Sequence, residues 1–333
     1  TVQISNRRKH KEAVQSSARA GRCVQRYKNM KIKCIALDLD RTTLDSQGHL
    51  SEENRAAVES AAAAGVHVVV ASGRSLDSLP AEITDITGVR YAITSNGAAV
   101  YDLRERKCLR QFKMTPESVE DILWHTEMER IKATYGEAAE MSEIEVPETE
   151  IYETEISYEA FIDGRAFAES RYVADPVRFG AMPQAVPYIQ STRMPVEDMR
   201  TFIRAHRSEL DCIDLVVKSE DMKRRLWKNL RENVRDVYIT SSVRQLLEIS
   251  HRDAGKESGA KFLLEYLGLI REELAAFGDG DNDSGLLKFA GIGFAVANAS
   301  PECRDAADEI VASNDENGVA QGIQKILAME RIL

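Results

Sequence analysis

Four short polar clusters in the sequence hold groups able to bind or attack a ligand. They are Asp38 with Asp40, the tripeptide 72–74 (Ser-Gly-Arg), Lys256, and the acidic run 279–283. Three of these clusters follow directly on an apolar run of the kind that forms a buried strand. Because ligands of open α/β sheets bind beyond the carboxyl ends of the strands, we expect the clusters to meet at one edge of a sheet.

The acids among these clusters predict a metal-assisted reaction at phosphate. Asp38 and Asp40 repel each other unless a cation lies between them or one is protonated. Asp279 supplies another oxygen ligand, and a site of carboxylates with water and phosphate is typical of Mg²⁺. We expect Asp38 to attack phosphorus and form an aspartyl-phosphate. Asp40 would then act as the general acid and base.

The remaining clusters suit the binding of an anion. Ser72 and the amide of Gly73 can donate hydrogen bonds to phosphate oxygens at the start of a helix. Lys256 also begins a predicted helix, where a cation gains nothing from the helix dipole, so an anion is expected opposite it. Each signal alone also fits a loop, a turn or a solvated lysine. Their order, each at the end of a strand or the start of a helix, favours a site.

The sequence does not match three other well-known ligand-binding motifs. The run 279–283 is not an EF-hand, because Ser284 and Ala290 stand where the loop needs glycine and an acid. Asp283 replaces the third glycine of a dinucleotide motif, and Lys256 lacks the flanking residues of a P-loop.

Strands and helices alternate where the clusters lie. Apolar runs at 33–38, 66–70 and 91–94 alternate with helices, the first of which Ser51 begins. Such alternation predicts βαβ units and a parallel sheet. Later elements of the same kind are predicted at 256–267, 274–277 and 292–296, with a final helix from 318.

The middle of the chain lacks this alternation. A hairpin is predicted around Asp163-Gly164, with helices near 196–209 and 220–233. The sequence thus predicts an α/β core interrupted by an inserted α+β unit. The expected divisions are a basic extension 1–30, core 31–100, insertion 101–245 and core 246–333.

Composition limits the classes of protein. The 333 residues carry a net charge of −10, which disfavours nucleic acid as a partner, and 43% are apolar, enough for a large core. No apolar run is long enough to cross a membrane. Five scattered cysteines are typical of the cytoplasm.

Residues 1–30 hold eight basic residues and one acid, as in a poorly ordered extension, a transit peptide or an arm for an anionic surface. The acidic stretch 137–155 fits a solvated surface or one that repels multiply charged esters.

The motifs together resemble the haloacid dehalogenase superfamily and, more narrowly, its Cof-type sugar-phosphate phosphatases. The resemblance covers about residues 32–327. The segments that carry it are 35–42, 71–74, Lys256 and 277–283, supported by 95–98, 247–249, 293–299 and 317–320.

This resemblance implies a Rossmann-like parallel-sheet core with an inserted α+β cap of the C2B type (subclass IIB), and a Mg²⁺-dependent aspartyl-phosphate mechanism. It implies that Asp38 is the nucleophile and Asp40 the general acid and base. The metal would be held by Asp38, the Asp40 carbonyl and Asp279, with Asp283 in support. The phosphate would be held by the Leu39 backbone, Ser72, Gly73, Lys256 and Asn282.

One position departs from the family pattern, since Arg41 stands where glycine is usual. We expect a phosphatase that acts on a small phosphate ester, either a sugar phosphate or a phosphorylated cofactor. The alternatives are a phosphosugar mutase of the same superfamily and a phosphate-ligand binding protein whose catalysis Arg41 has impaired.

Overall fold

A computed structural model describes residues 31–136 and 156–330, so the basic extension 1–30 and the acidic stretch 137–155 lie outside the described residues. Within these ranges the chain forms a sheet of eight strands and a sheet of six. None of the described helices combines the length and the apolar character that crossing a bilayer requires.

The first part of the chain builds one side of the eight-stranded sheet. Ser51 accepts a hydrogen bond from the amide of Asn54 and so begins α1, as its position predicts. The elements are β1 (Cys34–Leu37), α1 (Glu52–Ala63), β2 (His67–Ala71), α2 (Ala81–Thr84), β3 (Val89–Thr94), β4 (Ala99–Asp102) and β5 (Lys107–Gln111).

The middle part forms the six-stranded sheet and its helices. Its β6–β7 hairpin turns at Asp163 and Gly164, whose φ angles of 48° and 83° are those of the predicted two-residue turn. The elements are α3 (Pro116–Tyr135), β6 (Ile156–Ile162), β7 (Arg165–Glu169), α4 (Ser170–Ala174), α5 (Val186–Thr192), β8 (Arg193–Val196), α6 (Met199–Ala205), β9 (Cys212–Val217), α7 (Glu220–Asn233), β10 (Val237–Thr240) and β11 (Leu246–His251).

The last part returns to the eight-stranded sheet, whose order is β14-β13-β12-β1-β2-β3-β4-β5. Neighbouring strands from β14 to β3 run parallel, and β4 and β5 add an antiparallel edge. This is the predicted Rossmann-like core with an inserted α+β cap. The remaining elements are α8 (Lys256–Leu267), β12 (Leu274–Gly278), α9 (Ser284–Phe289), β13 (Ile292–Ala295), α10 (Pro301–Ala306), β14 (Glu309–Ile310) and α11 (Gly318–Glu330).

The two sheets divide the chain at later positions than the sequence predicts. The core continues to Gln111 rather than to 100, because β4 and β5 pair with β3. The cap continues to His251 rather than to 245, because β11 pairs with β9 and β10. An antiparallel edge on a parallel sheet breaks the βαβ alternation without starting a new domain, and that break is what the sequence shows.

Gly97 lies where the loop after β3 meets the loop before α8. Its φ is 89°, and a Cβ there would overlap the carbonyl oxygen of Gly255. Replacing Gly97 with alanine should lower the free energy of unfolding by about 2–4 kcal/mol, through backbone strain and steric displacement together.

Gly65 provides a matched control, because its φ is 85° but a Cβ there would meet nothing within 4 Å. Gly65→Ala should cost only the backbone strain, about 1 kcal/mol. Urea unfolding of both variants measures the difference. Equal losses would show that the contact between the two loops is not tight.

Candidate active site

The sheet topology gathers the polar clusters at one edge. β1 lies between β12 and β2, with Leu37 opposite both Phe277 and Val70. Asp38, Asp279 and Ser72 directly follow these three strands. Residues distant in sequence therefore become neighbours because the carboxyl ends of parallel strands meet at one edge.

Lys256 lies between two of the acids. Its Nζ donates hydrogen bonds to Asp38 Oδ1 at 2.6 Å and to Asp283 Oδ1 at 2.7 Å, and its side chain is fully buried. Burial alone would lower the pKa of Lys256, but the carboxylates of Asp283 and Asp38 outweigh that effect and raise it. Lys256 is therefore a permanent cation that offsets part of the repulsion between the acids.

A group of three carboxylates still carries excess negative charge. Oxygens of Asp38, Asp279 and Asp283 all lie within 4.8 Å of one another. Burial, followed by the charge of Asp283, raises the pKa of Asp38 well above its usual value and that of Asp279 to about 7. These buried oxygen donors fit a hard divalent cation, which would relieve the repulsion that a single lysine leaves.

Asp283 also shapes the loop that presents Asp279. Its Oδ2 accepts hydrogen bonds from the amides of Asp279 and Gly280, each at 3.0 Å. A Cβ on Gly278 would overlap the Cβ of Asp283, so only glycine allows this approach. Asp283 therefore positions Asp279 while it pairs with Lys256.

The turn after β1 fixes the orientation of Asp38. Thr43 Oγ1 donates to the carbonyl oxygen of Asp38 at 2.5 Å, and Thr42 Oγ1 donates to Asp279 Oδ1 at 3.2 Å. Arg41 has φ 60°, the left-handed conformation that favours the glycine usual at this position. Its side chain is largely exposed, and its Nε lies 3.8 Å from Asp279 Oδ2.

Asp40 faces a different partner. Arg74 Nε and Nη2 donate to its two carboxylate oxygens at 2.9 and 2.6 Å. Burial raises the pKa of Asp40, but Arg74 outweighs that effect and holds it below its usual value. The ring of Tyr188, from α5 of the cap, lies 4.0 Å from the Arg74 guanidinium. Among the described residues, the Asp40 carboxylate is not part of the three-acid group.

Of the predicted phosphate-binding residues, Lys256 contacts Asp38 directly, and Ser72 follows the strand beside that of Asp38. Ser72 and Gly73 lie in a loop rather than at the start of a helix, because the first helical turn after β2, Leu76–Ser78, begins three residues beyond Gly73. Asn282 Nδ2 donates to Asn96 Oδ1 at 3.0 Å. The Leu39 side chain is fully buried in the core, which leaves only its backbone for a ligand.

The sequence predicts no role for three further residues near the site, Arg74 and Asn96 of the core and Glu248 of the cap. Asn96 Nδ2 donates to Glu248 Oε1 at 2.9 Å and so connects the core to β11 of the cap. Asn96 follows a strand end as Asp38 does, and Glu248 is an acid inside an apolar strand. The positions of Asn96 and Glu248 can be seen in the sequence, but the sequence does not show that these two side chains contact each other.

The chain is similar to known proteins over most of its length. A family model described as haloacid dehalogenase-like hydrolase matches residues 35–323. The phosphatase YwpJ of Bacillus subtilis is 30% identical over 303 residues, 89% of this chain and 100% of that protein. The 5-amino-6-(5-phospho-D-ribitylamino)uracil phosphatase YwtE of the same organism is 28% identical over 306 residues, 89% of this chain and 99% of that protein. A haloacid dehalogenase-like hydrolase structure from B. subtilis superposes with a TM-score of 0.70 at 26% identity, covering 88% of this chain and 99% of that one.

Removal of the Lys256 charge tests the electrostatics of this site. Lys256→Met keeps the volume but leaves Asp38 and Asp283 facing each other, so the free energy of unfolding should fall by about 3–5 kcal/mol. Lys261→Met, on the exposed face of the same helix, is the matched control and should change stability by less than about 0.5 kcal/mol. Chemical denaturation without added metal measures both; equally small changes would contradict the proposed balance of charge.

Proposed function

The chain belongs to the haloacid dehalogenase-like hydrolases as a Cof-type phosphatase, and from that premise we propose that it hydrolyses a small phosphate monoester through a phosphorylated Asp38. We further propose that Mg²⁺ is its cofactor. The donor set supports this choice, because carboxylate oxygens suit Mg²⁺ better than a softer metal.

The main support for this proposal is the different surroundings of the two carboxylate oxygens of Asp38. Oδ1 is held by Lys256 at 2.6 Å, and Oδ2 accepts no hydrogen bond from any residue in the described part of the chain. One oxygen is thus fixed while the other is available to attack. A carboxylate held in this way is suited to nucleophilic catalysis.

The reaction would proceed in two displacements. Asp38 Oδ2 forms a bond to phosphorus while the bond from phosphorus to the ester oxygen breaks, and Asp40 gives its proton to the leaving oxygen. Asp40 then takes a proton from a water molecule, whose oxygen attacks phosphorus and releases Asp38 and inorganic phosphate. Arg74 favours the anionic form of Asp40, the form required in this second displacement.

The charge of the phosphate would be matched by groups around Asp38. We propose that Lys256, Ser72 and Asn282 bind its oxygens, together with the amides of Leu39 and Gly73. Mg²⁺, held by Asp38, the Asp40 carbonyl and Asp279 with support from Asp283, would neutralise phosphate charge as the carboxylate approaches.

For the substrate we propose a sugar phosphate or a phosphorylated cofactor. The relative YwtE is named for a small phosphate ester, 5-amino-6-(5-phospho-D-ribitylamino)uracil, which supports a small phosphorylated metabolite. We place the enzyme in the cytoplasm, because the four described cysteines are free thiols, as is usual in a reducing compartment.

Substitution of the two acids tests the mechanism. Asp38→Asn should lower kcat for p-nitrophenyl phosphate by about 10⁴-fold, because the nucleophile is lost. Asp40→Asn should slow turnover by about 10²–10⁴-fold, and acid quenching should then trap phosphorylated enzyme, because activation of water is impaired.

Asp305→Asn, an exposed acid in α10, serves as the control and should retain full activity. Release of inorganic phosphate in the presence of Mg²⁺ is the readout, and circular dichroism confirms folding. Full activity in Asp38→Asn would remove Asp38 from the chemistry. Formation of an isomeric ester without free phosphate would indicate a mutase instead.

A further inference from the structure

Asn96, in the loop after β3, holds two neighbouring loops of the core through its backbone. Its amide donates to the Ser72 carbonyl at 3.2 Å, and its own carbonyl accepts a hydrogen bond from the Gly255 amide at 2.7 Å. Its φ of 51° is left-handed, a conformation that asparagine tolerates better than most residues. The backbone of Asn96 thus fixes the position of a side chain that is only 1% exposed.

The side chain of Asn96 connects the acidic loop of the core to the cap. Its Oδ1 accepts a hydrogen bond from Asn282 Nδ2 at 3.0 Å, and its Nδ2 donates to Glu248 Oε1 at 2.9 Å. Asn282 and Glu248 are buried as well. We call Glu248, Asn96 and Asn282 the Asn96 network.

Glu248 fixes the direction of the hydrogen bonds in this network. Its Oε1 accepts from Asn96 and its Oε2 accepts from the amide of Ser242, so both oxygens face N–H groups. Burial raises the pKa of Glu248, but these donors oppose that rise, because neither nitrogen can accept a hydrogen bond from a neutral carboxyl group. A carboxylate only accepts, whereas an amide accepts at one end and donates at the other. Asn96 therefore turns its Nδ2 to Glu248 and its Oδ1 to Asn282.

The amide of Asn282 is oriented from two sides. Its Nδ2 faces Asn96, and its Oδ1 lies against Gly280, where a Cβ would overlap it. Asn96 uses one of the two N–H bonds of this Nδ2, and no described residue accepts from the other. A buried donor without an acceptor is costly, and an anion would satisfy it.

The Asn96 network also lies against the loop that is proposed to bind phosphate. A Cβ on Gly73 would lie 2.7 Å from Glu248 Oε1 and 3.2 Å from Asn96 Nδ2, so a larger residue would displace both groups. The amide of Gly73 is one of the proposed phosphate ligands. The network therefore adjoins the phosphate-binding groups of the core, although Glu248 belongs to the cap.

We propose that Glu248 and Asn96 are positioning residues, which turn an N–H bond of Asn282 towards the phosphate of the substrate. The carboxylate of Glu248 accepts at one end of the network, and each amide keeps the same direction, so a donor is presented at the other end. In the reverse direction, the carbonyl oxygen of Asn282 would face the phosphate and repel it. This inference rests on the proposed phosphatase function and adds two residues that act through Asn282.

Glu248→Gln tests the direction of the hydrogen bonds without a change of side-chain shape. The Ser242 amide requires the oxygen of the new side chain, so its NH₂ group faces Asn96 and reverses both amides. The dissociation constant of inorganic phosphate, measured by calorimetry with Mg²⁺, should rise about tenfold. Asn282→Ala should raise it about as much, and the double variant no further, because both changes remove the same hydrogen bond. Effects that multiply in the double variant would overturn the inference, as would an effect of Asn282→Ala alone.

Asn96→Gly removes the side chain but keeps the backbone contacts, since glycine adopts a left-handed φ freely. Phosphate affinity should fall about tenfold and KM for p-nitrophenyl phosphate should rise similarly, while kcat changes less than about threefold. Asn317→Gly is the matched control, the same change at a φ of 60°, and should leave all three values unchanged. A lower thermal midpoint in Asn96→Gly with unchanged phosphate affinity would show that Asn96 is merely structural.

Further controls separate this inference from the proposed function. Glu129→Gln alters a buried acid of α3 in the cap that contacts Arg225 and Asn229, and it should leave phosphate affinity unchanged. If the wild type hydrolyses p-nitrophenyl phosphate and Asp38→Asn does not, the proposed function stands even where the variants of the Asn96 network overturn this inference. If the wild type neither binds phosphate nor hydrolyses the ester, both proposals fail.

Discussion

The site depends on the position of one buried cation. Lys256 reaches Asp38 and Asp283 from the first residue of α8, and without it buried carboxylates from the ends of β1 and β12 would face one another uncompensated. The loop that presents Lys256 is fixed in turn by the backbone, since the Gly255 amide donates to the Asn96 carbonyl at 2.7 Å. The geometry of the acids is therefore inseparable from the contact between two loops.

The core and the cap contribute different charged groups near the site. The core gathers acids, one lysine and backbone amides at a strand edge, an arrangement suited to phosphate and a divalent cation. The cap holds three buried acids side by side on its sheet, Glu159, Asp214 and Glu248, and Arg193 donates to Glu159. Where the domains meet, Asn96 contacts Glu248 and Tyr188 contacts Arg74, so cap residues touch the core loops of the site at two places.

The sequence predicted most of the core, because apolar strands followed by polar clusters are a local pattern. It placed Asp38, Asp279 and Lys256 at strand ends and helix starts, where the structure has them. It did not predict the pairing of Asp40 with Arg74 or the side-by-side acids of the cap sheet, because side-chain partners and cross-strand register are set by tertiary packing. The left-handed backbone at Arg41 shows why a family pattern is not absolute: its strain of about 1–2 kcal/mol is small enough for packing to offset.

A crystal structure of the protein grown with Mg²⁺ and beryllium fluoride, a mimic of a phosphoryl group, would test the central claim most directly. The account predicts trifluoroberyllate bonded to a carboxylate oxygen of Asp38, with the metal in contact with Asp38 and Asp279. Trifluoroberyllate on another residue, or a metal bound away from these two acids, would contradict it.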